Sequence, residues 1–377
     1  MSRGFGADPA LERAPEEVSV VLRPGTWRVL GFVVALTLVG VACGGDQGGG
    51  TGTDQGAGEQ AEPAELAIAP TAPLPSYWPF YYLAEGLGFY ADENLEVEIA
   101  TVRGAVQQAL ITDRLQVAGT GLDYIPQAAD EEISDELKYI MITDNYPWVM
   151  ITFEDSPYQT AADLQGRRIG VNDPHDTFDA EFLMGAAGVP QGEYELIPVG
   201  EDRAALVAME RGDVDAFMGP YLAVNTLNEL SERPIRVITN EVAEDYYNTG
   251  PMVTVDLLEN DRDVVVRFGR AIARALIWQY ENPEVAARTM LEVDPTSATD
   301  FDEALEFIET TNEWNRSRYE GRGEVDPAIY QTMIDKHAEL GFIDEAYPAD
   351  RLFTNELIEE IWDFDVEAEI EAARNAS

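Results

Sequence analysis

The chain has 377 residues, and its 71 acidic and 24 basic side chains give a formal net charge of −47 at pH 7. Such a charge repels nucleic acids, so we expect no nucleic-acid partner. One cysteine cannot form an intramolecular disulfide, and with only two histidines the chain has too few thiolates and imidazoles for a metal site of that kind. We therefore expect no metal and no cofactor. The acidic residues are spread along the whole sequence, which predicts an acidic surface adapted to a high-salt habitat.

Residues 1–42 have the features of a signal peptide. The apolar run at 29–42 is about fourteen residues long, shorter than the roughly twenty that a membrane-spanning helix needs. Arg23 and Arg28 precede this run, as in the positive region of a leader. Acidic residues further upstream do not belong in such a region, and a start of translation near residues 18–21 would remove them.

The single cysteine, Cys43, directly follows this leader. The segment 41–43 resembles the end of a bacterial lipoprotein cleavage box, in which the cysteine is lipidated, although Gly40 stands where that box usually has Leu, Val or Ile. A buried cysteine is the alternative, but residues 43–64 are rich in glycine and polar residues and predict a flexible tether. We expect lipidation at Cys43 and an extracytoplasmic protein anchored to the outer face of the cell membrane.

From residue 65 onward, strand-like and helix-like segments alternate, and this order predicts an α/β fold with helices on the faces of parallel strands. After residue 250 the pattern is helical throughout, which predicts a C-terminal helical segment. The predicted strands are 66–69, 95–99, 116–118, 139–142, 168–171, 195–199, 214–218 and 235–238, and the predicted helices are 105–110, 124–129, 177–187, 203–211, 221–230, 263–281, 283–292, 301–310, 327–340 and 356–361.

Four sequence landmarks, in this order, resemble a known family. They are PFYYLA at 79–84 with GFY at 88–90 and LEV at 95–97, DLQGRRIGV at 163–171, MERGDVDA at 209–216, and AIARALIWQYENPE at 271–284. Together they resemble the periplasmic substrate-binding proteins of ABC importers, in the branch that carries nitrate, sulfonates, taurine and thiamine-pyrimidine precursors. The resemblance covers residues 66–361.

That resemblance implies a type II periplasmic-binding-protein-like fold, with two α/β lobes joined by a hinge of two crossover strands. The sequence places candidate crossovers at 149–153 and 252–255. The first lobe is then discontinuous, with residues 65–150 and 252–377, and the second lobe is residues 151–251.

Candidate ligand-binding residues follow from the rule that ligands of open parallel sheets bind beyond the carboxyl ends of the strands, near helix N-termini. Some of these residues have a structural alternative: the aromatic pair at 77–78 could fill space under the first helix, and Thr120, Asp176 and Thr177 could cap helices. The candidates are Ser76, Tyr77 and Trp78 after the first strand, Thr120, Asp123 and Tyr124 after the third, Trp148 at the first crossover, Asn172, His175, Asp176, Thr177 and Phe178 in the second lobe, and Tyr221 on its rim.

The predicted cleft loops are rich in aromatic residues and poor in fixed positive charge, with Arg103 and Arg203 as their arginines. Aromatic faces suit a flat ring or a cation, whereas nitrate, sulfonate or taurine-type anions are usually bound with the help of Arg or Lys. This composition favours a pyrimidine-like or other heteroaromatic vitamin precursor, with the anions as the alternative.

The resemblance implies a monomeric solute-binding lipoprotein that delivers a small molecule to an ABC permease and ATPase. A sensory receptor is a further alternative. Thiamine-pyrimidine synthases of the same fold use a lysine, a histidine and a cysteine-rich segment. Because Lys138 and Lys336 lie outside the predicted cleft loops and Cys43 lies in the leader region, we expect no enzyme.

Overall fold

The two lobes are built around two β-sheets. The computed structural model describes residues 62–70, 78–100, 106–119, 121, 124–129, 133, 135–145, 147–172, 176–238 and 246–377. The predicted leader, Cys43 and most of the predicted tether lie outside these ranges. Among the helices that are described, none is both long enough and apolar enough to cross a membrane.

Ten strands and fourteen α-helices are described. The strands are β1 (Ala64–Ala69), β2 (Leu95–Ile99), β3 (Val117–Gly119), β4 (Leu137–Tyr139), β5 (Trp148–Phe153), β6 (Arg168–Val171), β7 (Glu195–Pro198), β8 (Ala216–Pro220), β9 (Ile235–Ile238) and β10 (Pro251–Thr254). The helices are α1 (Pro79–Gly86), α2 (Phe89–Asp92), α3 (Val106–Ile111), α4 (Tyr124–Gln127), α5 (Thr177–Ala186), α6 (Asp202–Arg211), α7 (Ala223–Leu230), α8 (Val255–Asn260), α9 (Arg262–Glu281), α10 (Pro283–Val293), α11 (Phe301–Glu320), α12 (Pro327–Leu340), α13 (Ile358–Ile361) and α14 (Val366–Asn375).

Each sheet has five described strands and one of them is antiparallel to its neighbours. The first sheet has the order β2-β1-β3-β10-β4, in which β1 is parallel to β2 and β3 while β10 is antiparallel to β3 and β4. The second has the order β7-β6-β8-β5-β9, in which β6 is parallel to β7 and β8 while β5 is antiparallel to β8 and β9. The predicted α/β class with two lobes is confirmed.

The predicted crossovers differ from the observed ones. The ranges 149–153 and 252–255 were expected to connect the lobes, but they fall largely on β5 and β10, which hydrogen-bond on both sides within a single sheet. Each strand has hydrogen-bonded neighbours on both edges, and its apolar side chains are buried in the cores that pack on the faces of its sheet. The chain passes between the sheets just before each of these strands, within 141–147 and again within 239–250.

The helices after residue 255 cover the first sheet and also reach the second. On α9, apolar residues recur at helical spacing, as at Val265, Phe268, Ile272 and Leu276, and this face is buried. Helix α9 packs against α1, α10 and α14, whereas α12 packs against both α4 and α5. The core is thus continuous from the first sheet, through α12, to the second lobe.

Candidate functional site

The two segments that connect the sheets lie side by side. Asn145 and Tyr247 form an antiparallel bridge, and the Asn248 amide donates a hydrogen bond to the Asp144 carbonyl at 2.9 Å. The amide of Thr143 donates to the Thr249 carbonyl at 3.0 Å. These pairings make residues 143–145 and 247–249 a two-stranded hinge between the lobes.

Gly250 allows the close approach of these segments. A Cβ atom at this position would lie 2.1 Å from the carbonyl oxygen of Met141 and 2.9 Å from the Cα of Ile142. Both neighbours are backbone atoms, which cannot move aside by changing a rotamer. Glycine is therefore the residue that this hinge geometry accepts.

Asp144 is a buried acid in this hinge, with 5% of its surface exposed. Its carboxylate accepts hydrogen bonds from the Thr143 hydroxyl at 2.7 Å, from the Asn315 side-chain amide at 2.8 Å, and from the indole of Trp78. Burial raises the pKa of Asp144 to about 7, and the hydrogen bonds from Thr143 and Trp78 oppose that rise.

Tyrosine side chains from two helices lie near this carboxylate. Tyr81 on α1 is buried, and within the described ranges its hydroxyl has no hydrogen-bond partner. Burial, and then the negative charge of Asp144, raise the pKa of Tyr81 far above its ordinary value. The same two effects, in the same order, raise the pKa of Tyr280 on α9, whose ring stacks on Tyr319 with ring centroids 4.1 Å apart.

The second lobe reaches the same region through Tyr221, which follows β8. Its ring stacks on Trp314 of α11, with centroids 4.7 Å apart and planes 8° from parallel. Its hydroxyl donates to the Thr311 hydroxyl at 3.2 Å. Because α11 also carries Asn315, this helix connects the second lobe to the hinge.

The Asn315 side chain forms two hydrogen bonds between α11 and the hinge. Its side-chain amide donates to Asp144, and its side-chain oxygen accepts from the Asn145 backbone amide at 2.8 Å. The Asn145 side chain donates to the Trp314 carbonyl at 2.6 Å and to the Ser317 hydroxyl at 3.2 Å.

Several buried polar atoms around the hinge have no hydrogen-bond partner in the part of the chain that the structure describes. They include the hydroxyls of Tyr81 and Thr249 and the side-chain oxygen of Asn145. Buried polar atoms are usually hydrogen-bonded, since leaving one unpaired costs about 1–3 kcal/mol. Such unpaired atoms around a buried carboxylate and aromatic rings are typical of a site that a polar molecule completes. We call Trp78, Tyr81, Asp144, Tyr221, Thr249, Tyr280, Trp314 and Asn315 the hinge site.

Of the residues that the sequence singled out, the structure brings two into the hinge site, Trp78 and Tyr221. Tyr124 lies in the core instead, fully buried, with its hydroxyl donating to the Leu137 carbonyl at 3.3 Å and its ring edge-on to Tyr139. We leave Tyr124 out of the site for that reason. Trp148 is half-buried on β5, paired with Pro220 at the end of β8.

The candidates of the second-lobe loop have local contacts. The side-chain amide of Asn172 donates to Glu201 at 2.6 Å. Asp176 is the N-cap residue of α5 and Thr177 is the first residue of that helix. Phe178 packs against Phe342, with centroids 4.8 Å apart, rather than facing the hinge. The candidates outside the described residues are Ser76, Tyr77, Thr120, Asp123 and His175.

The sequence prediction missed Asp144, Tyr81, Tyr280 and Asn315. Asp144 could have been found, because residues 143–145 directly follow the apolar segment predicted as a strand at 139–142, so the rule of strand carboxyl ends also selects them. Tyr81, Tyr280 and Asn315 lie inside helices, where polar and aromatic side chains give no sequence signal that separates a site from a core.

A family model described as "NMT1/THI5 like" matches residues 76–286, which is more than half of the chain. The chain belongs to the NMT1/THI5-like family. A Bacillus subtilis (strain 168) protein named for binding aliphatic sulfonates is 29% identical over 121 residues, which are 31% of this chain and 35% of that relative. The match therefore spans about a third of the relative's length.

Two solved structures with a similar fold have different functions, one in binding and one in catalysis. The periplasmic aliphatic sulphonate binding protein SsuA from Escherichia coli has a TM-score of 0.57 and 14% identity, over 77% of this chain and 91% of that one. The desulfurization enzyme DSZB has a TM-score of 0.54 and 15% identity, over 80% of this chain and 98% of that one. At such identities the likeness shows the fold, and the fold carries both binding and catalysis.

Proposed function

We propose that this chain is the solute-binding component of an ABC importer and that it holds a small molecule between its two lobes, at the hinge site. The observation that carries the proposal is the buried polar cluster on the paired segments connecting the sheets. Ligands of two-lobed proteins are enclosed as hinge motion brings the lobes together. Family membership and the names of the relatives support the same role.

The proposed function includes a cellular location and protein partners. The predicted leader at 1–42 directs export, lipidation of Cys43 anchors the chain to the outer face of the cell membrane, and the tether up to residue 64 lets the monomeric body reach a permease and its ATPase. The predicted lobe boundaries, 65–150 with 252–377 and 151–251, remain part of this proposal.

The first candidate ligand is a pyrimidine-like or other flat heteroaromatic molecule. The hinge site offers the rings of Trp78, Tyr81 and Tyr280 together with the carboxylate of Asp144. Aromatic rings stack on flat ligands, and a carboxylate accepts from ring amino groups. This supports the heteroaromatic candidate.

The second candidate is an aliphatic sulfonate, because two of the similar proteins are named for binding such anions. The Tyr81 and Thr249 hydroxyls of the hinge site, which have no hydrogen-bond partner among the described residues, could donate to sulfonate oxygens. The neighbouring carboxylate of Asp144, when ionised, would repel them.

We propose binding rather than catalysis. DSZB is an enzyme with this fold, but the single cysteine of this chain, Cys43, directly follows the predicted leader and lies outside both predicted lobes. We therefore propose that this cysteine takes no part in catalysis within the lobes.

A thermal-shift screen of the full-length protein in high salt tests the proposed function. The compounds are pyrimidines, thiamine, flavins, taurine, aliphatic sulfonates and nitrate. A ligand at a hundredfold over its dissociation constant should raise the stability by about 2.7 kcal/mol. Recovery of the bound compound unchanged supports a binding protein, whereas its chemical conversion or the absence of any shift contradicts the proposal.

A further inference from the structure

Asp144 is a buried acid whose carboxylate has no cationic partner among the described residues. The described side chains that contact the carboxylate are the hydrogen-bond donors Thr143, Asn315 and Trp78, and none of these groups carries a charge. Ionised carboxylates in protein interiors are normally paired with a cation, since desolvation of the charge is costly. In the part of the chain that the structure describes, no cationic group contacts this carboxylate, and the Arg316 guanidinium lies over the Tyr280 ring, 5.8 Å from its centroid.

Burial opposes ionisation of Asp144, and the hydrogen bonds from Thr143 and Trp78 favour it. All three groups that contact the carboxylate donate, and a carboxylate has about four acceptor positions, so room for one further donor remains. The Thr143 hydroxyl also lies 3.2 Å from the Thr249 carbonyl, whereas the Trp78 indole and the Asn315 amide nitrogen can only donate to Asp144. The carboxylate of Asp144 can therefore accept a hydrogen bond from the ligand.

The aromatic side chains around Asp144 suit the same kind of ligand. Trp78 contacts the carboxylate directly, Tyr81 and Tyr280 lie close enough for its charge to raise their pKa, and Tyr221 interacts with Tyr280. Aromatic faces attract cations, and the attraction grows when water is excluded. A carboxylate with aromatic neighbours is the combination that binds a protonated nitrogen.

Building on the proposed function, we propose that Asp144 is the specificity-determining residue of the hinge site and that the solute carries a protonated or hydrogen-bond-donating nitrogen, as in amines, amidines and aminopyrimidines. The nitrogen takes the free acceptor position of Asp144 and stacks against the aromatic rings. The Tyr81 and Thr249 hydroxyls, which have no hydrogen-bond partner among the described residues, bind the rest of the solute. Purely anionic solutes such as alkanesulfonates are rejected by the same carboxylate.

A pH dependence of binding follows. Among the described residues, the titratable groups close to the hinge site include Tyr81 on α1, Tyr280 on α9 and Tyr221 after β8, together with Arg316, Arg318 and Tyr319 on α11. Tyrosine stays neutral and arginine stays charged between pH 5 and 8. Since the pKa of Asp144 is about 7, affinity for a cationic solute should fall as pH drops from 8 to 5, approaching tenfold per pH unit. An anionic solute should show the opposite slope.

The experiment measures binding to the full-length protein by thermal shift and titration calorimetry with three probe sets of matched skeleton. Benzamidine, benzylamine and aminopyrimidines carry the donating nitrogen, acetophenone and benzyl alcohol are neutral and contain no nitrogen, and benzenesulfonate and alkanesulfonates are anions. We expect the nitrogen set to bind at least tenfold more tightly than the neutral nitrogen-free set at pH 8. Binding by the anions alone, or by no member of the nitrogen set, overturns this inference.

The variant Asp144→Asn separates a role in binding from a role in folding. The substitution removes the buried charge, so the variant should melt at a higher temperature than the wild type at pH 8 without ligand. Its affinity for the nitrogen probes should fall at least tenfold, and its binding should no longer depend on pH. Asp213→Asn, at an exposed aspartate, is the matched control and should change neither. If Asp144→Asn binds the nitrogen probes as tightly as the wild type, the inference is wrong.

The outcomes also separate this inference from the proposed function. If sulfonates bind and Asp144→Asn leaves their affinity unchanged or raises it, the protein is a solute receptor and only the assignment of the nitrogen ligand fails. If no compound of either screen binds, both fail.

Discussion

His337 on α12 is a buried titratable residue away from the hinge site. Its ring stacks on Phe182 at 4.8 Å, and its Nδ1 lies 2.7 Å from the Met333 carbonyl. Its Nε2 has no hydrogen-bond partner among the described residues. Burial lowers the pKa of His337 to about 4, and the hydrogen bond with Met333 opposes this. The imidazole is therefore neutral in the folded protein at neutral pH, and it couples α12 to α5 as an aromatic ring.

Because the folded protein binds the His337 proton more weakly than the unfolded chain does, this group favours unfolding under acid. Its contribution to stability is complete above pH 6.5 and is lost as pH falls from there to about 4. We expect His337→Phe to lose less stability than the wild type over that range, by a difference on the order of 3 kcal/mol. Urea unfolding at pH 7.5 and pH 4.5 measures this. Parallel pH profiles of the two proteins would contradict it.

Gly250 provides a test of the hinge backbone at a single residue. In Gly250→Ala the new Cβ would lie 2.1 Å from the Met141 carbonyl oxygen, so the two connecting segments must separate. Overpacking of this kind costs about 1–3 kcal/mol. Gly321→Ala is the control, because its Cβ would lie 3.1 Å from the nearest backbone atom at a helix end. Equal melting temperatures of the two variants would show that the hinge is not tightly packed.

At the scale of elements, the contact between α11 and the second lobe depends on Tyr221. Tyr221→Ala removes a buried ring stacked on Trp314 and should cost about 3–5 kcal/mol. Tyr221→Phe keeps the ring and loses the hydrogen bond to Thr311, so it should cost about 1 kcal/mol. Hydrogen exchange should show faster exchange of α11 amides in the alanine variant. Faster exchange only in remote helices would contradict the contact.

Helices and strands whose apolar residues recur at regular spacing were predictable from the sequence. Helix α9 was expected at 263–281 and is observed at Arg262–Glu281, and strand β6 was expected and observed at the same residues. Apolar residues at helical or alternating spacing define such elements locally. The C-terminal helix α14 was not predicted, because its sequence, rich in glutamate and alanine, has few apolar side chains.

The hinge and much of the site were not predictable in the same way. Strands β5 and β10 look like connecting segments in sequence, and only pairing with distant strands makes them sheet members. The Asp144–Asn315 hydrogen bond joins residues 171 positions apart. Such contacts depend on tertiary structure, whereas Trp78 and Tyr221 were found because they follow strands.

At the scale of the whole molecule, the connecting segments, α11 and α12 all join the two lobes. The hinge can bend only if the contacts of α11 and α12 with the second lobe allow it. Solute binding at the hinge site would then couple occupancy to the relative position of the lobes, which is what a permease can recognise.

The distance between the lobes with and without solute tests this account most directly. Spin labels at Glu98→Cys on β2 and Glu210→Cys on α6, both exposed positions, in a Cys43→Ser background, report that distance by pulsed electron resonance. We predict a shorter and narrower distance distribution when the ligand from the thermal screen is added, and no change with that ligand in the Asp144→Asn variant. An identical distribution with and without a ligand that binds would contradict capture between the lobes.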